Sequence, residues 1–593
     1  MERMEGTTLS TGLAKGVAVV VGYELQRTFV LAKVDERDSI SRADVGLECE
    51  RMDGALKRSQ EDLNTFTSAA SDTPSLSAAV ELLSVHATMA TEIASAVKKQ
   101  ISSSLVGVED ALDSVISGWV NRLQKLDSDY LREREIDVRD VGQRMMRHLI
   151  GVAPADDVEF PQEAIIVARE LVPSDAIALA NSGVVGIVTE LGGTLGHTAI
   201  IARSLGIPAV SGIRNVTQRI AIGATLLVDG DTGFVTAEPT DDQLVAFAGC
   251  VADAKRRSIH ESKIASGPCQ TLDGTEIALY GNVGLQGDID QVLERGLAGV
   301  GLFRTEFIYM QSKDRPDVES QRFIYAEMAE RLGDRPLVIR TFDLGGEKLP
   351  LFLSLDRQSG TSNTNLRGLR FSLGEQNLLR DQLTAIVHVA QTANVRILFP
   401  MVIGGHDFSQ AIAIVNEVMH ECGASKRPLI GAMIETPAAL FCLEEILELA
   451  DFITIGTNDL TQYLLAADRE LSSAHENVTV MHPAVLRAIH QIVTSAQQCY
   501  CPVCVCGEEA GEPEFVEIFI GLGGRELSLS PSRANRMRAA IGGIDIAVAK
   551  LLAKQALACR SAQDVRELFS QGGRSRVQNE LRQSSPHLLA SSP

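Results

Sequence analysis

The chain has 593 residues, of which 45% are hydrophobic and 22% are charged, and its formal net charge at pH 7 is -22. This length exceeds what one hydrophobic core supports, so we expect two to four domains, and the ordinary composition excludes a fibrous or disordered molecule. The negative charge argues against a nucleic-acid partner, because phosphate backbones are bound through clustered Lys and Arg side chains. It suits a protein partner with a positive face, although solubility alone also explains it.

The ten cysteines are too few for a disulfide scaffold in so long a chain. Four of them crowd between residues 499 and 506, but no second Cys or His pair matches them, so zinc is not favoured. We find no signal peptide and no apolar stretch of the roughly 18 residues that span a bilayer. These features predict a cytoplasmic protein with reduced thiols and no membrane insertion.

The N-terminal part of the chain begins with a strand and continues with helices. The β-branched run from Gly16 to Gly22 reads as a short strand, and we expect residues 1–35 to pack with a later α/β domain. In residues 36–150 apolar side chains recur at helical spacing, as at Met52 and Ala55. This region therefore predicts a helical bundle.

The hydrophobic period changes after this bundle. Residues 151–240 alternate apolar runs with Gly-rich turns and contain one helix that starts near His197, which predicts a compact α/β domain. Residues 241–268 read as a polar, Ala-containing helix and predict a linker. Residues 566–593 are rich in Ser, Gln and Arg and predict a disordered tail.

Residues 269–565 contain regularly spaced strand-like runs separated mostly by helical patterns. The eight runs are EIALYGN, GVGLFRTE, PLVIRTFD, VRILFPMV, LIGAMIE, FITIGTND, PVCVCGE and ELSLSP. Strands that alternate with helices predict a parallel sheet, and eight such units over this length predict a (β/α)8 barrel. The predicted fold class is α/β multidomain: a C-terminal (β/α)8 barrel and an N-terminal α/β domain with an inserted or preceding helical bundle.

Charged and polar residues follow the strand-like runs of the barrel, where loops at the C-terminal strand ends build the active site. Among them, Glu435 and Asp459 supply hard oxygen ligands without a matching His set, which suits Mg2+ rather than zinc. The arginines supply bidentate donors for carboxylate and phosphate oxygens. Together they predict a small, phosphorylated acid bound through Mg2+. The set comprises Arg304, Glu306, Arg340, Asp343, Lys348, Glu435, Asn458, Asp459, Arg469, Cys506 and Glu508.

A second group of chemically suggestive residues is GGTLGHTAIIARSLGIPAVSG, residues 192–212. Glycines precede His197, and a helix is predicted from Thr198 to Leu205. The free N–H groups and partial positive charge of a helix N-terminus would stabilise a phosphate on His197. On these residues alone, a structural histidine and a phosphorylated one remain alternatives.

Several long motifs resemble those of the phosphoenolpyruvate-utilising enzymes and, within them, Enzyme I of the sugar phosphotransferase system. The segment around His197 resembles the phosphohistidine segment, and residues 127–151 resemble the end of the helical, carrier-binding domain. The similarity spans roughly residues 10 to 545 in the family order. The barrel motifs that carry it are GVGLFRTEFIYM, IRTFDLGGEK, MIETPAA, TIGTNDLTQYLLAADR and CGEEAG.

The resemblance implies a phosphoenolpyruvate–protein phosphotransferase. It would move phosphate from phosphoenolpyruvate to His197 and then to a histidine of a small HPr-like carrier protein, with Mg2+ as cofactor and pyruvate as product. Residues 36–150 would bind the carrier, and residues 269–565 would bind phosphoenolpyruvate and form a homodimer. A buried core thiol is the alternative for Cys506, and orientation of Arg304 is an alternative role for Glu306. The implied site consists of His197 and Cys506 as catalytic residues, Arg304, Arg340, Lys348, Arg367, Asn458 and Arg469 as substrate ligands, and Glu435 and Asp459 as metal ligands.

The sequence departs from the family pattern at two places. Leu195-Gly196 stands where the family usually has Thr-Ser, which removes two hydroxyls and costs on the order of 1 kcal/mol for each lost hydrogen bond. This change predicts slower transfer without its loss, since phosphoryl transfer depends mainly on positioning and electrostatics. The segment NTNLRGLR is shorter than the family pattern; we choose Arg367 as its substrate arginine, with Arg370 as the competitor.

Two other functions are compatible with parts of this pattern. A pyruvate phosphate dikinase or phosphoenolpyruvate synthase shares the phosphohistidine and barrel motifs, but its ATP-grasp domain needs a longer and less helical N-terminal region. A regulatory pseudo-enzyme would retain the helical domain for partner binding after the Leu195-Gly196 change disabled the histidine. Intact barrel motifs argue against the second alternative.

Overall fold

The computed structural model describes most of the chain in segments. These are residues 2–21, 40–71, 77–123, 129–151, 161–171, 179, 183–192, 197–264, 269–284, 288–310, 315–344, 366–467, 478–507 and 509–570. The chain forms two compact units, Met1–Lys255 and Arg256–Pro593. Across these segments, no helix combines the length and apolar character that a membrane crossing requires.

The first unit contains an eight-stranded sheet in the order β1-β8-β7-β3-β4-β5-β6-β2. Strands β3 to β6 run parallel to one another, whereas the other neighbouring pairs are antiparallel. The strands are β1 Glu2–Glu5, β2 Thr7–Ser10, β3 Leu13–Val21, β4 Ala164–Ala168, β5 Val184–Thr189, β6 Ala209–Ser211, β7 Thr225–Asp229 and β8 Phe234–Ala237. The apolar run of β4 is entirely buried, as expected for a strand covered on both faces.

The helical bundle is an insertion in this sheet, because β1 to β3 precede it in the chain and β4 to β8 follow it. Its helices are Val45–Ser71, Ser77–Ser104, Val108–Leu123 and Asp129–Ile150. The predicted apolar face is correct: Met52, Ala55 and Leu63 are buried in the bundle core. The helices His197–Leu205 and Val216–Arg219 complete the α/β part.

The bundle core also contains a polar cluster. The Nε2 atom of His86 lies 3.1 Å from Asp137 Oδ1, and Arg144 Nη2 donates to Asp140 Oδ2 at 3.3 Å. All four side chains are nearly inaccessible to solvent. His86 lies on the helix Ser77–Ser104 and Asp137 on the helix Asp129–Ile150, so their contact links two helices of the bundle, whereas Arg144 and Asp140 pair within one helix.

The second unit is a closed barrel in the order β10-β11-β12-β13-β14-β15-β16-β9, and all of its neighbouring strands are parallel. Each of the eight predicted strand-like runs forms one of its strands, so the predicted fold class is confirmed. The strands are β9 Ala278–Val283, β10 Val300–Arg304, β11 Leu337–Arg340, β12 Val395–Phe399, β13 Leu429–Ile434, β14 Phe452–Gly456, β15 Val503–Cys506 and β16 Glu526–Leu529.

Helices follow the barrel strands in the chain, as the (β/α)8 pattern requires. They are Asp288–Glu294, Glu306–Met310, Val318–Leu332, Leu369–Gly374, Gln376–Ala390, Gly405–Glu421, Pro437–Phe441, Leu443–Leu447, Thr457–Leu464, Pro483–Gln498, Pro513–Gly521, Ala534–Gly542, Ile546–Ala558 and Ala562–Leu568.

The last helix extends past residue 566, where the sequence predicts the tail to begin. Residues 571–593 lie outside the described segments. The predicted linker contains the helix Asp241–Ile264.

The barrel interior is filled by side chains rather than open. Leu302, Val338, Leu398, Met433, Phe452 and Cys506 form one buried cluster. Gly431 is required beside it, since a Cβ atom at this position would lie 2.5 Å from the ring of Phe452. Because the interior is packed, polar side chains can gather only at the ends of the strands.

Candidate active site at the mouth of the barrel

The parallel strands bring the predicted site residues to one end of the barrel. Arg304, Arg340 and Cys506 are the last residues of β10, β11 and β15. Glu435 follows β13 directly, and Asp459 is the third residue of the helix Thr457–Leu464 after β14. The strand register aligns Arg304 with Arg340. These side chains therefore share the C-terminal rim of the barrel, where (β/α)8 enzymes place their chemistry.

Glu306 anchors Arg340 and the residues that follow it. Arg340 Nη2 donates to Glu306 Oε1 at 2.7 Å, and the same oxygen accepts the backbone N–H of Asp343 at 2.9 Å. Burial alone disfavours the guanidinium charge, but the attraction of Glu306 and Asp343 outweighs burial and raises the pKa of Arg340. The sequence suggested that Glu306 orients Arg304. In the structure, Glu306 accepts this hydrogen bond from Arg340, the arginine of the next strand.

Arg367 joins two carboxylates of the rim. It donates to Asp343 through Nε at 3.1 Å and Nη2 at 2.7 Å, and to Asp459 through Nη1 at 2.9 Å and Nη2 at 3.4 Å. Its Nη1 atom also lies 3.3 Å from the Tyr463 hydroxyl. Burial opposes its charge, but Asp343 and Asp459 raise the pKa of Arg367 further than burial lowers it. Its competitor Arg370 is exposed.

Glu435 is almost completely buried beside this network, with 1% of its surface exposed. Its Oε1 accepts the backbone N–H of Met401 at 2.8 Å. Burial and the negative charges of Asp459 and Asp343 raise the pKa of Glu435 to about 8, against the opposing effect of Arg340. Gly456 leaves room for this carboxylate, because a Cβ atom there would lie 2.5 Å from Glu435 Oε2.

Cys506 supplies a neutral thiol to the same site. Its Sγ donates to the Ile455 carbonyl at 3.5 Å, and only 3% of the residue is exposed. Burial and the charge of Glu435 raise the pKa of the thiol to about 12, although Arg304 and Arg340 lower it in part. A thiol in this state is a proton donor rather than a nucleophile at neutral pH.

Gly507 allows the chain to turn directly after Cys506. Its φ is +129°, and a Cβ atom there would lie 2.0 Å from Thr457 Oγ1 and 2.9 Å from Asn458 Oδ1. Thr457 Oγ1 lies 3.0 Å from both the Cys506 carbonyl and the Glu509 carboxylate. Asn458, at the start of the helix Thr457–Leu464, therefore lies beside the turn that follows Cys506.

His197 is the first residue of the helix His197–Leu205 in the first unit, which begins one residue before the predicted start at Thr198. The next residue, Thr198, is buried, and its Oγ1 accepts the N–H of Leu171 at 3.3 Å. The helix packs against β2 and against the bundle helix Ser77–Ser104. Residue 197 thus occupies a helix N-terminus, where free N–H groups favour negative charge.

Several predicted positions lie outside the described residues: Lys348, Arg469, Glu508, Leu195, Gly196 and the side chain of His197. Over the residues that are described, no group of three or more His, Cys, Asp or Glu side chains is arranged to hold a metal. A magnesium site with two protein carboxylates needs no such group, because Mg2+ commonly completes its coordination with water and substrate phosphate.

Comparison with known proteins places the whole chain in one family. Three models of phosphoenolpyruvate-utilising enzymes match it: the N-terminal model over residues 5–134, the mobile-domain model over 160–233 and the phosphoenolpyruvate-binding-domain model over 259–546. A phosphoenolpyruvate-protein phosphotransferase of Priestia megaterium is 32% identical over 537 residues, which cover 89% of this chain and 93% of that protein.

A second relative has the same name, and one solved structure matches part of the chain. A phosphoenolpyruvate-protein phosphotransferase of Streptococcus equinus is 32% identical over 570 residues, 94% of this chain and 98% of that protein. An NMR solution structure of an Enzyme I protein is 30% identical, covers 42% of this chain and 99% of that chain, and has a TM-score of 0.34.

The chain is a phosphoenolpyruvate-utilising enzyme, a transferase. Within that class, the chain belongs to the family of the phosphoenolpyruvate-protein phosphotransferases. The resemblance of its motifs to this family is confirmed.

The state of Cys506 predicts its chemical reactivity. With a pKa of about 12, about one thiol in ten thousand is ionised at pH 8. We expect iodoacetamide to modify the exposed Cys250 and Cys499 in native protein at this pH, and to leave Cys506 unmodified, as measured by peptide mass spectrometry. Denatured protein, in which all three are labelled, is the control. Equal native labelling of Cys499 and Cys506 would contradict the buried, neutral thiol.

Proposed function

We propose that this chain transfers the phosphoryl group of phosphoenolpyruvate to its own His197 and then to a histidine of a small HPr-like carrier protein, releasing pyruvate. The observation that carries the proposal is the rim of buried and partly buried arginines and carboxylates in the part of the chain, residues 259–546, that matches the phosphoenolpyruvate-binding-domain model. The protein would serve as a general component of a sugar phosphotransferase system, in the cytoplasm and as a homodimer formed through the barrel.

Permanent positive charge on the rim supports the binding of a trianionic substrate. Arg304, Arg340 and Arg367 offer planar donors that match carboxylate and phosphate oxygens in pairs. Because their neighbours raise the pKa values of Arg340 and Arg367, both stay charged at any physiological pH. Lys348, Asn458 and Arg469 complete the proposed substrate ligands.

A divalent metal is the proposed cofactor, and Mg2+ is the ion that the ligands suit. Glu435 and Asp459 interact strongly enough that the charge of Asp459 helps to raise the pKa of Glu435, so a divalent cation would relieve their repulsion. Their carboxylate oxygens are the hard ligands that Mg2+ prefers. The ion would neutralise charge that develops on the phosphoryl oxygens during transfer.

Cys506 is the proposed acid of the reaction. The imidazole of His197 forms a bond to phosphorus while the bond from phosphorus to the enol oxygen breaks, which leaves an enolate. The neutral Cys506 thiol then gives its proton to the methylene carbon and yields pyruvate. Arg304 and Arg340 lower the pKa of this thiol, so both would stabilise the thiolate until it regains a proton from solvent.

The proposed functions are assigned to domains with the boundaries expected from the sequence. Residues 36–150 would bind the carrier, residues 1–35 and 151–240 would form the phosphohistidine domain, and residues 241–268 would link it to the barrel. One histidine must then meet a small molecule in the barrel and a protein at the helical bundle, so the phosphohistidine domain would move between them.

This movement predicts a change in molecular shape. Small-angle X-ray scattering of the full chain should give different profiles with and without phosphoenolpyruvate and Mg2+. A matched sample of His197→Ala protein without phosphoenolpyruvate provides the reference for the unphosphorylated state. One rigid profile under all conditions would contradict the swinging domain.

The phosphorylation itself is tested with radiolabelled phosphoenolpyruvate. We expect acid-labile label on the wild-type protein, loss of the label in His197→Ala, and loss on addition of a metal chelator. His406→Ala, which replaces an exposed histidine of the barrel unit, should retain full labelling. Label that persists in His197→Ala would place the nucleophile elsewhere, and labelling from ATP instead would favour the dikinase alternative.

Arg367 predicts how the metal site responds to mutation. In this structure the Arg367 guanidinium donates hydrogen bonds to the Asp459 carboxylate. A metal must therefore compete with the guanidinium for that carboxylate. In Arg367→Gln we expect Mn2+ to bind the substrate-free protein about tenfold tighter, because one charge-assisted contact no longer competes, while the KM for phosphoenolpyruvate rises. The measurement is Mn2+ binding by electron paramagnetic resonance.

Arg380→Gln is the matched control for this substitution, since Arg380 pairs with Glu417 on the protein surface at 2.7 Å. Its Mn2+ affinity should equal that of the wild type. Unchanged or weaker Mn2+ binding by Arg367→Gln would show that Asp459 is not a ligand of the metal.

A further inference from the structure

A buried glutamine behind the barrel wall holds the backbone that carries the rim. Gln382 lies on the helix Gln376–Ala390 and is 0% exposed. Its Oε1 accepts the N–H of Phe342 at 3.1 Å, and its Nε2 donates to Thr305 Oγ1 at 3.0 Å and to the Tyr325 hydroxyl at 3.2 Å. One side chain thus connects an outer helix to the segments after two neighbouring strands.

Both of these segments carry proposed substrate ligands. Phe342 lies between Arg340 and Asp343, and Thr305 directly follows Arg304 in the chain. Thr305 Oγ1 also donates to the Arg340 carbonyl at 2.8 Å. The bonds from Gln382 and Thr305 therefore fix the backbone from which these three charged side chains project.

The carboxylate of Glu306, at the barrel mouth, also holds the segment of residues 340–343. It accepts from Arg340 Nη2 and from the backbone N–H of Asp343, as described above. Residues 340–343 are consequently held on two sides, by Gln382 behind them and by Glu306 in front. Asp343 in turn holds Arg367, so the restraint reaches a second arginine.

The hydrogen-bond directions at Gln382 require an amide. Thr305 uses its hydroxyl proton on the Arg340 carbonyl, and Tyr325 uses its own on Gln321 Oε1 at 3.2 Å. Both oxygens therefore present lone pairs to Gln382, while the Phe342 N–H needs an acceptor. A glutamine supplies two donors and an acceptor at once, whereas a methionine of similar volume supplies none of the donors.

We propose that Gln382 is a positioning residue for phosphoryl transfer: through Phe342 and Thr305 it holds Arg340 and Asp343 in the geometry that the transition state requires. The proposal rests on the function proposed above and deepens it. Displacement of a positioned group by about 1 Å, even by a change remote from the chemistry, lowers rates by about a hundredfold.

The chain offers a matched control in Gln321, a second glutamine that is 0% exposed on the neighbouring helix Val318–Leu332. It accepts from the hydroxyls of Tyr309 and Tyr325 at 2.9 and 3.2 Å and donates to the Pro316 carbonyl at 3.1 Å. These bonds hold helices and a loop, and they leave the backbone of residues 340–343 untouched. Gln321→Met therefore removes an equally buried amide that reaches Gln382 only through the shared Tyr325 hydroxyl and makes no bond to the backbone of the rim.

The test compares Gln382→Met with Gln321→Met in the full chain. We measure single-turnover labelling by radiolabelled phosphoenolpyruvate across substrate concentrations, and the thermal midpoint of each protein. Both variants should lose stability to a similar extent. Only Gln382→Met should lower the maximal labelling rate, by about 10- to 100-fold, with a smaller change in the half-saturating concentration. Equal rates in the two variants would overturn the proposal.

Thr305 provides a second test in case Gln382→Met does not fold. Thr305→Val keeps the shape but removes the hydroxyl between Gln382 and the Arg340 carbonyl, so it should share the rate defect. Thr305→Ser keeps the hydroxyl and should retain a rate within about threefold of wild type, because the positioning contact survives. Equal rates for the Val and Ser variants would also overturn the proposal.

The outcomes separate this inference from the proposed function. Wild-type protein that takes no label from phosphoenolpyruvate would refute the function itself. Wild-type labelling together with equal rates for Gln382→Met and Gln321→Met would refute only the positioning role.

Discussion

The structure depends on charge balance at the C-terminal rim of the barrel. Arg340 is buried and Arg367 is partly buried, and both stay charged because Glu306, Asp343 and Asp459 lie within hydrogen-bonding distance. A buried charge without such a partner is strongly destabilising, so the fold must bring both signs together. The parallel barrel does this by ending several strands at one rim, where loops from non-adjacent parts of the sequence meet.

The same balance determines the protonation states of the remaining groups. Burial is the largest cause that raises the pKa values of Glu435 and Cys506, and neighbouring carboxylates add to it: Asp459 and Asp343 for Glu435, and Glu435 and Asp459 for Cys506. One rim thereby holds permanent cations, a carboxyl whose ionised form a nearby cation would favour, and a thiol that retains its proton. Divergent pKa values among neighbouring groups are the usual mark of a site built for acid–base chemistry.

Much of the barrel and of its rim could be predicted from the sequence. Each barrel strand is a continuous apolar run, and polar residues follow it directly in the chain. For this reason the sequence placed Glu435, Asp459 and Cys506 at the strand ends where the structure has them, while the role of Cys506 came from the family resemblance. Gln382 was missed: a glutamine on an amphipathic helix reads as a surface residue, and its partners are 40 and 77 residues away in the chain. The partner of Glu306 and the insertion of the bundle into the sheet likewise depend on long-range pairing, which local periodicity does not encode. The surroundings of His197 stay a prediction.

The two central arginines differ in how firmly they are held, and this difference has a consequence for binding. The Arg340 side chain is 9% exposed and shares Glu306 with the backbone of Asp343, whereas the Arg367 side chain is 20% exposed and bonds to the side chains of Asp343 and Asp459. A phosphorylated acid that offers its own oxygens to Arg367 would release Asp459, and a cation on Asp459 would release Arg367. Binding of the substrate would therefore strengthen binding of the metal, and the reverse, because each would act on the guanidinium of Arg367. The backbone behind Arg340 would keep its position in both cases.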